Sequence, residues 1–322
     1  MTHAVQFRNP GSYDVLEWVE VADPSAGLGE IVIDVHAAGV NFIDTYHRSG
    51  LYTVPLPFTP GSEGSGTIVE VADDVEGFAP GDHVAWVGQA GSYATRVAIP
   101  AAAALRVPEE MSLDVAAATP LQGMTAHYLV TSTHPLVAGD RCLIHAAAGG
   151  TGRLMVQMAK IRGAEVVATA GSDEKVELAR SAGADHVINY TTTDIVEGVE
   201  AAVGRDAIDV VYDGVGAATF DAGLAVLRPR GTMATFGNAS GPVPAVTPLT
   251  LMPKSLFLTR PKLGDYIVTT EARDERWNEI AGWVRDGRLE VRVGHTFPLA
   301  GAGDAHRALE SRATTGKILL AA

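Results

Sequence analysis

The sequence predicts an α/β protein built from a β-rich, barrel-like region and a doubly wound parallel sheet. Three observations support this. The chain has 322 residues, more than the roughly 100–200 residues of a typical single domain, so two domains are expected. Up to about residue 122 it reads as short strands punctuated by glycine and proline. Beyond that point apolar strand-like runs alternate with amphipathic helical ones, the rhythm of a parallel sheet covered by helices.

The elements follow in order. Ile31, Ile33, Val35 and Ala37 alternate with Val32, Asp34 and His36, which is strand periodicity. Gly61 to Gly66 reads as a glycine-rich turn leading into a strand at Thr67 to Val71. Pro80-Gly81-Asp82 turns the chain into a strand at His83 to Val87, and Pro55, Pro57 and Pro60 share one irregular loop. In the second part, Cys142 to Ile144, Glu165 to Ala170, His186 to Asn189, Asp209 to Asp213 and Thr232 to Phe236 read as strands. Helices are expected at Leu154 to Ile161 and Ser172 to Ala182, the latter closed by Gly183. Near the end, a helix through Trp277, Ile280 and Val284 stops close to Gly287, and Glu290 to Val293 and Lys317 to Leu320 read as strands.

Composition narrows the function. Hydrophobic residues make up 47% and charged residues 19%, and the net charge is -14. A nucleic-acid surface needs a basic stripe and an anionic membrane repels this charge, so neither partner is expected. A local basic pocket for an anionic cofactor stays compatible with it. The single cysteine, Cys142, rules out an intramolecular disulfide and a multi-thiolate zinc site, and is expected as a small buried strand residue. No apolar run reaches the roughly 20 residues that span a bilayer, and the first residues lack a basic segment leading into a long apolar core. A cytoplasmic protein without a bound metal is expected.

The stretch His145 to Gly152 joins the Cys142 to Ile144 strand to the next helix through Gly149, Gly150 and Gly152. Glycines there let backbone N–H groups approach a pyrophosphate at a helix N-terminus. Ala147 stands at the first position of the Gly-x-Gly-x-x-Gly pattern, so the turn alone is a weak sign; the flanking strand and helix and the repeated units downstream strengthen it. His145 is expected as a packed strand-end histidine. The second strand ends Thr169-Ala170-Gly171-Ser172 with no carboxylate at its tip, where an NAD site usually carries one for the ribose. Lys175 follows in the first helical turn, where a cation opposes the helix dipole and glutamate would complete a capping box. A 2′-phosphate bound by Ser172 and Lys175, beside Gly171, accounts for the misplaced cation, and NADPH is the expected cofactor. Asp173 and Glu174 stand against this, since either suits a ribose, although both also suit a helix N-terminus.

Asn41, Asp44 and Tyr46 follow the first clear strand and are close enough in sequence to gather at a cleft where a hydride acceptor would sit; a plain polar turn fits the spacing equally well. Here the chain resembles a family. Asn41 to Tyr52, Leu121 to Thr125, His145 to Gly152, Phe236-Gly237-Asn238, Thr259-Arg260-Pro261 and Glu310 to Thr314 resemble the zeta-crystallin-like quinone oxidoreductases, a zinc-free branch of the medium-chain dehydrogenase/reductases. The likeness runs over essentially the whole chain. It implies a GroES-like catalytic domain over 1–122, a Rossmann NADPH-binding domain over 123–260, and a segment 261–322 returning to the first. It implies that Phe42, Ile43, Asp44, Thr45, Tyr46 and Tyr128 line the cofactor. Gly150, Thr151, Gly171 to Lys175 and Tyr190 are implied beside it, as are Phe236, Gly237, Asn238, Ala239 and Arg312. Thr259, Arg260 and Pro261 would come near the nicotinamide. Thr151 stands where valine is common in the family, and Gly214 where serine is common.

The expected reaction is reduction of a quinone by NADPH. A quinone is already electrophilic, so positioning does most of the work. Tyr46 would hydrogen-bond the carbonyl that gains charge or donate a proton, with Asn41 and Asp44 orienting the nicotinamide ribose and Tyr46. Reduction of an enone or alkenal double bond, or NADPH binding without turnover, are the alternatives. A homodimer is implied, and the apolar run Ser255 to Leu258 is a candidate pairing strand.

Overall fold

The computed structural model describes residues 1–311 and 314–322. Two compact units divide the chain: Met1–Leu121 with Val268–Arg285 and Val291–Ala322, and Gln122–Ile267 with Asp286–Glu290. The nucleotide-type unit thus runs on to Ile267, past residue 260, and takes back residues 286–290.

The first unit contains β1 (Thr2–Gln6), β2 (Glu17–Val21), β3 (Glu30–Val40), helix α1 (Phe42–Ser49), β4 (Glu63–Val71), β5 (His83–Val87), β6 (Arg96–Pro100), β7 (Ala104–Arg106) and α2 (Leu113–Ala118). Helix α3 (Pro120–Tyr128) follows. The second unit contributes β8 (Arg141–Ile144), α4 (Gly150–Ile161), β9 (Glu165–Ala170), α5 (Asp173–Ser181), β10 (His186–Asn189), α6 (Ile195–Val203) and β11 (Ile208–Asp213). It continues with α7 (Phe220–Val226), β12 (Leu227–Thr235), α8 (Pro248–Leu251) and β13 (Phe257–Thr259). Helix α9 (Thr270–Arg285), β14 (Val293–Pro298), α10 (Ala302–Glu310) and β15 (Lys317–Ala321) complete the first unit.

The first unit's main sheet runs β14-β15-β3-β4-β5-β7, with β6 also pairing β3. Strand β15 lies antiparallel to β3, with Ile318 opposite Val40, so the last strand supports the segment that leads into α1. Ile31, Ile33, Ile68, Val84 and Trp86 fill one core of this unit. The second unit is an all-parallel sheet ordered β10-β9-β8-β11-β12-β13. The order in which successive strands join this sheet reverses between β8 and β11, the place where open α/β sheets bind ligands at their carboxyl ends. Leu143, Val167, Val211, Leu227 and Met233 form its core.

Two sequence expectations need correction. The glycine-rich stretch before Thr67 is strand from Glu63 on. Its glycines serve close packing: a Cβ on Gly64 would lie 2.5 Å from the Trp86 ring, and one on Gly66 2.1 Å from the Asp34 carbonyl oxygen. The strand expected at Glu290 to Val293 begins only at Val293, because the Glu290 side chain is drawn to Arg153 (2.5 Å) and its backbone is held by Gln157.

Candidate active site

Helix α1 organises the first unit's polar cluster. Asn41 is its N-cap, and the Asp44 carboxylate closes a capping box by accepting from the Asn41 backbone N–H (2.8 Å). The Asn41 side chain donates to Glu63 Oε1 (2.7 Å) and accepts from Lys317 Nζ (2.8 Å). Lys317 also pairs with Glu63 Oε1, and Glu63 Oε2 accepts from the Leu121 N–H (2.7 Å). Glu63 and Lys317 are 0% and 1% exposed. An ion pair so deeply buried survives only when its remaining hydrogen-bonding capacity is used, as it is here. A Cβ on Gly39 would meet Glu63 Oε1 at 2.4 Å, so that glycine makes room for the carboxylate.

Asp44 itself is fully buried. Burial raises its carboxyl to about 7, against the pull of the Asn41 N–H, Lys317 and the Tyr93 hydroxyl, with Glu63 adding a smaller push upward. Phe42, Ile43 and Tyr46 lie on α1 partly exposed, and Thr45 is buried with its hydroxyl on the Phe42 carbonyl (2.7 Å). Tyr46 packs edge-on against Tyr52, ring centroids 5.4 Å apart.

The second unit presents a different arrangement. The turn into α4 places Ala146 at φ 52 and Gly149 at the N-cap with no side-chain cap; no acidic residue occupies the first turn. A Cβ on Gly152 would come within 2.4 Å of the Ala146 carbonyl oxygen, which is why the helix can approach the strand only with glycine there. The amides of Gly150 and Thr151 begin this uncapped, positively polarised end.

At the tip of β9, Ser172 is the N-cap of α5, its Oγ accepting from the Lys175 N–H (3.3 Å). Its hydroxyl proton stays available to a ligand oxygen. Asp173 accepts from Asn189 Nδ2 (2.8 Å), which ties one of the two carboxylates that suit a ribose to the neighbouring strand end. A Cβ on Gly171 would lie 2.3 Å from the Tyr190 hydroxyl, so the tyrosine reaches over the glycine.

Between these tips runs a buried polar row. Asp213 pairs with Thr235 in the β11–β12 register, His145 lies one residue past the Tyr212–Ile144 pair, and His145 Nδ1 contacts Thr169 Oγ1 at 3.0 Å. Four adjacent strands therefore carry Thr169, His145, Asp213 and Thr235 at or within one residue of their carboxyl ends. Asp213 Oδ1 is used by the N–H groups of Val215 and Gly216 and by the Thr219 hydroxyl. Yet His145 Nε2, Asp213 Oδ2 and Thr235 Oγ1 are buried with no hydrogen-bond partner among the described residues. Burial holds His145 below the ordinary imidazole range, partly offset by Asp213, so it is neutral. Unpaired buried polar atoms are rare and costly, and three in a row at the switch point fit a polar ligand. An uncapped glycine helix end, a carboxylate-free strand tip with Ser172 and Lys175, and this row together fit a phosphorylated dinucleotide.

Several of the remaining candidate residues follow strands β11 and β12. Gly237 approaches Gly214 so closely that a Cβ would lie 2.2 Å from its carbonyl oxygen. The Phe236 ring covers Gly214, and a Cβ there would sit 2.9 Å from it. The Asn238 amide is satisfied when its oxygen accepts from Arg260 Nη2 (3.1 Å), and Arg260 Nη1 donates to the Thr235 carbonyl (2.9 Å). Ala239 donates its N–H to the Gly214 carbonyl. Thr259 ends edge strand β13, and Pro261 is buried just after it. Tyr128 is 1% exposed and stacked on Tyr266 at 4.2 Å. Arg312 lies outside the described residues. Cys142 is buried in β8, which pushes its thiol up.

Residues 27–138 match the model of the alcohol dehydrogenase GroES-like domain, and residues 150–284 that of the zinc-binding dehydrogenases. The chain is 41% identical to a quinone oxidoreductase of Salmonella typhimurium over 99% of both chains. It superposes on the quinone oxidoreductase of Escherichia coli, solved with NADPH, with a TM-score of 0.97 at 39% identity over 100% of both chains. The chain belongs to the quinone oxidoreductase family. A 2-haloacrylate reductase of Burkholderia sp. is also similar, 39% identical over 99% of both chains. Like other members of the medium-chain dehydrogenase/reductase fold, this quinone oxidoreductase homologue combines a GroES-like unit with a Rossmann-type sheet. Among the described residues no group of three or more His, Cys, Asp or Glu side chains is placed to hold a metal ion, and no helix is long and apolar enough to cross a membrane.

Sequence reasoning missed Glu63, Tyr93, His306 and Lys317. Lys317 heads an apolar run and Glu63 sits among glycines, 254 positions apart. Two buried charges so distant in sequence carry no local pattern; only their presence within otherwise apolar or glycine-rich strands hints at partners.

Proposed function

We propose that this chain is an NADPH-dependent quinone reductase, with the GroES-like unit as the catalytic part and the Rossmann unit as the nucleotide-binding part. The full-length likeness to the E. coli quinone oxidoreductase solved with NADPH carries this reading. NADPH, when bound, supplies the hydride. The Gly150 and Thr151 amides hold the diphosphate at the α4 N-terminus. Ser172 and Lys175 take the 2′-phosphate, the serine as a donor and the lysine as a compact cation, and Tyr190 lies beside them over Gly171. The polar row His145, Asp213 and Thr235 completes its hydrogen bonds on the ligand. Segments Phe236–Ala239 and Thr259–Pro261 close around the same strand ends.

On the acceptor side, Tyr46 donates a hydrogen bond to the quinone oxygen that gains charge, and passes it a proton directly or through water. Asn41 and Asp44 hold α1's first turn in place for this. Positioning accounts for most of the rate because the quinone needs no further activation.

The similarity to a 2-haloacrylate reductase supports a second reading, reduction of an activated carbon–carbon double bond by the same hydride. A panel of benzoquinones and short enones or acrylates, with NADPH consumption and product identification, separates the two. Rapid turnover of quinones to hydroquinones is expected. Turnover confined to the alkenes would replace the first reading with the second, and NADPH binding without oxidation by any acceptor would overturn both.

A homodimer forms through the free edge of β13. Its Phe257 is 61% exposed, with exposed Leu249 and Met252 close by in sequence, an apolar edge that pairing with a second copy would cover. The protein works in the cytoplasm.

A further inference from the structure

Helix α5 of the second unit begins with a conflict. Asp173 is its first residue, where a carboxylate suits the positively polarised helix end. A carboxylate just beyond the tip of the second strand of a dinucleotide sheet also suits a ribose 2′-hydroxyl, and works against a phosphate in that place. The turn that offers Ser172 and Lys175 to a 2′-phosphate therefore carries, between them, a group that favours the nucleotide without one.

Asn189 removes the conflict. It closes β10, opposite Ala170 of β9. Its amide orientation is fixed by the turn that follows. Asn189 Oδ1 accepts from the Thr191 N–H (3.1 Å) and from the Thr191 hydroxyl (2.6 Å). A backbone N–H only donates, so the amide oxygen must face Thr191 and the NH₂ group must face the other way. There it donates to Asp173 Oδ1 (2.8 Å). The Asn189 carbonyl oxygen accepts from the N–H groups of Thr192 (3.1 Å) and Thr193 (3.0 Å), so the residue is held in place as well as oriented. In the order β10-β9-β8, β10 and the strand that leads into α4 flank β9 on opposite sides. The bond thus holds the Asp173 carboxylate on the β10 side of β9, away from the glycine turn. The helix keeps its favourable charge while that charge is withheld from the strand tip.

We propose that Asn189 is a positioning residue for nucleotide choice: by holding Asp173 toward β10 it keeps this carboxylate off the adenosine ribose and favours the 2′-phosphorylated nucleotide over its unphosphorylated counterpart. The proposal rests on the reading that Ser172 and Lys175 take the 2′-phosphate. Discrimination of this kind lies in what is withheld from the wrong ligand, not only in what is offered to the right one. A ligand that needs Asp173 untied binds in proportion to the untied fraction. An ordinary hydrogen bond leaves about one carboxylate in six untied, so losing the Asn189 donor should tighten NADH about fivefold. The released charge beside the 2′-phosphate should weaken NADPH about twofold. The preference for NADPH then falls about tenfold.

The test is the pair of dissociation constants for NADH and NADPH, measured by fluorescence titration with no acceptor present. Asn189→Ala removes the donor. Asn189→Asp removes it too but keeps the acceptor that Thr191 uses, so the turn carrying Tyr190 stays closed. Both variants should bind NADH about fivefold more tightly than the parent. In an Asp173→Asn background neither change should tighten NADH, because no carboxylate is left to release. A purely structural role for Asn189 predicts weaker binding of both nucleotides and no gain for NADH. Unchanged NADH affinity in both variants, or a gain that persists without Asp173, overturns the proposal while the parent's preference for NADPH stands. A parent that binds NADH as tightly as NADPH overturns the 2′-phosphate reading itself.

Discussion

The two units treat their buried polar groups in different ways. In the GroES-like unit, Asn41, Glu63 and Lys317 bond to one another, and Tyr93, His306 and Arg48 form a continuous chain from Asp44. In the Rossmann unit, His145, Asp213 and Thr235 each keep one buried polar atom without a partner. The first arrangement is largely finished by the protein, Asp44 Oδ1 and His47 Nδ1 being its unpaired atoms, so it holds α1 before any ligand arrives. The second is unfinished, so its missing bonds await a ligand. Rigid positioning on one side and ligand-completed binding on the other suit an enzyme whose catalysis depends on placing a ring rather than on activating an acceptor.

The largest test breaks the finished side. Lys317→Met leaves Glu63 as an uncompensated buried carboxylate beside Asn41. Removing one partner of a buried pair typically costs about 3–5 kcal/mol. Chemical denaturation should show a loss of this size, and the double variant Glu63→Gln with Lys317→Met should lose less than the two single changes added together. Additive losses would mean that the cluster is not one network.

The next test uses pH. Asp44 has a raised folded-state pKa, about 7 against a usual 3.8. Its contribution to stability is complete below about 4 and is lost as pH rises toward 7. His306 is depressed, to about 3 from 6.5, so its contribution is present above 6.5 and lost as pH falls toward 3. Between about 4 and 6.5 the two slopes oppose each other, and the parent should be nearly flat there. His306→Gln removes the opposing slope, so that variant should lose roughly 1 kcal/mol per pH unit as pH rises through this range. A flat profile in the variant would show that Asp44 does not titrate as described.

Lys175→Glu turns to the unfinished side. It replaces the proposed phosphate-binding cation with an anion at the start of α5. NADPH affinity should fall roughly 10–100-fold, the size of a lost charge-assisted hydrogen bond of about 1.5–3 kcal/mol, while NADH affinity stays the same. Fluorescence titration with both nucleotides decides it. Equal losses for the two would place Lys175 away from the 2′-phosphate.

How much of this was legible in the sequence follows from range. The strands Glu165–Ala170 and His186–Asn189 and helix α5 were readable because their patterns are local and uninterrupted. The glycine turn was readable because strand, turn and helix are consecutive. The Gly61 to Gly66 stretch misled, since close approach to Trp86 and to Asp34 of β3 is a tertiary demand that glycine also meets outside turns. The Asp44 chain was not legible at all: His306 lies 213 positions from Tyr93 and 258 from Arg48, and only the sheet that joins β15 to β3 brings α10 to α1. The polar row was half legible. Each member lay at or next to the end of a strand expected from the sequence, but that they share one register appears only when the strands are ordered.

The finest discrimination between the two kinds of polar burial is Thr235→Val. The change keeps the shape of the side chain and removes a hydroxyl that has no partner among the described residues. A buried unsatisfied group penalises the folded state, so the nucleotide-free variant should be as stable as the parent or gain up to about 1 kcal/mol. The bond that the ligand would have made is lost at the same time, and NADPH affinity should fall about fivefold, near 1 kcal/mol. A finished network gives the opposite sign: Tyr93→Phe, which strands His306 and Asp44, should destabilise the nucleotide-free protein. Measuring both variants with and without NADPH separates the alternatives. If Thr235→Val destabilises the free protein as Tyr93→Phe does, the row is already satisfied from within, and the contrast between the two units dissolves.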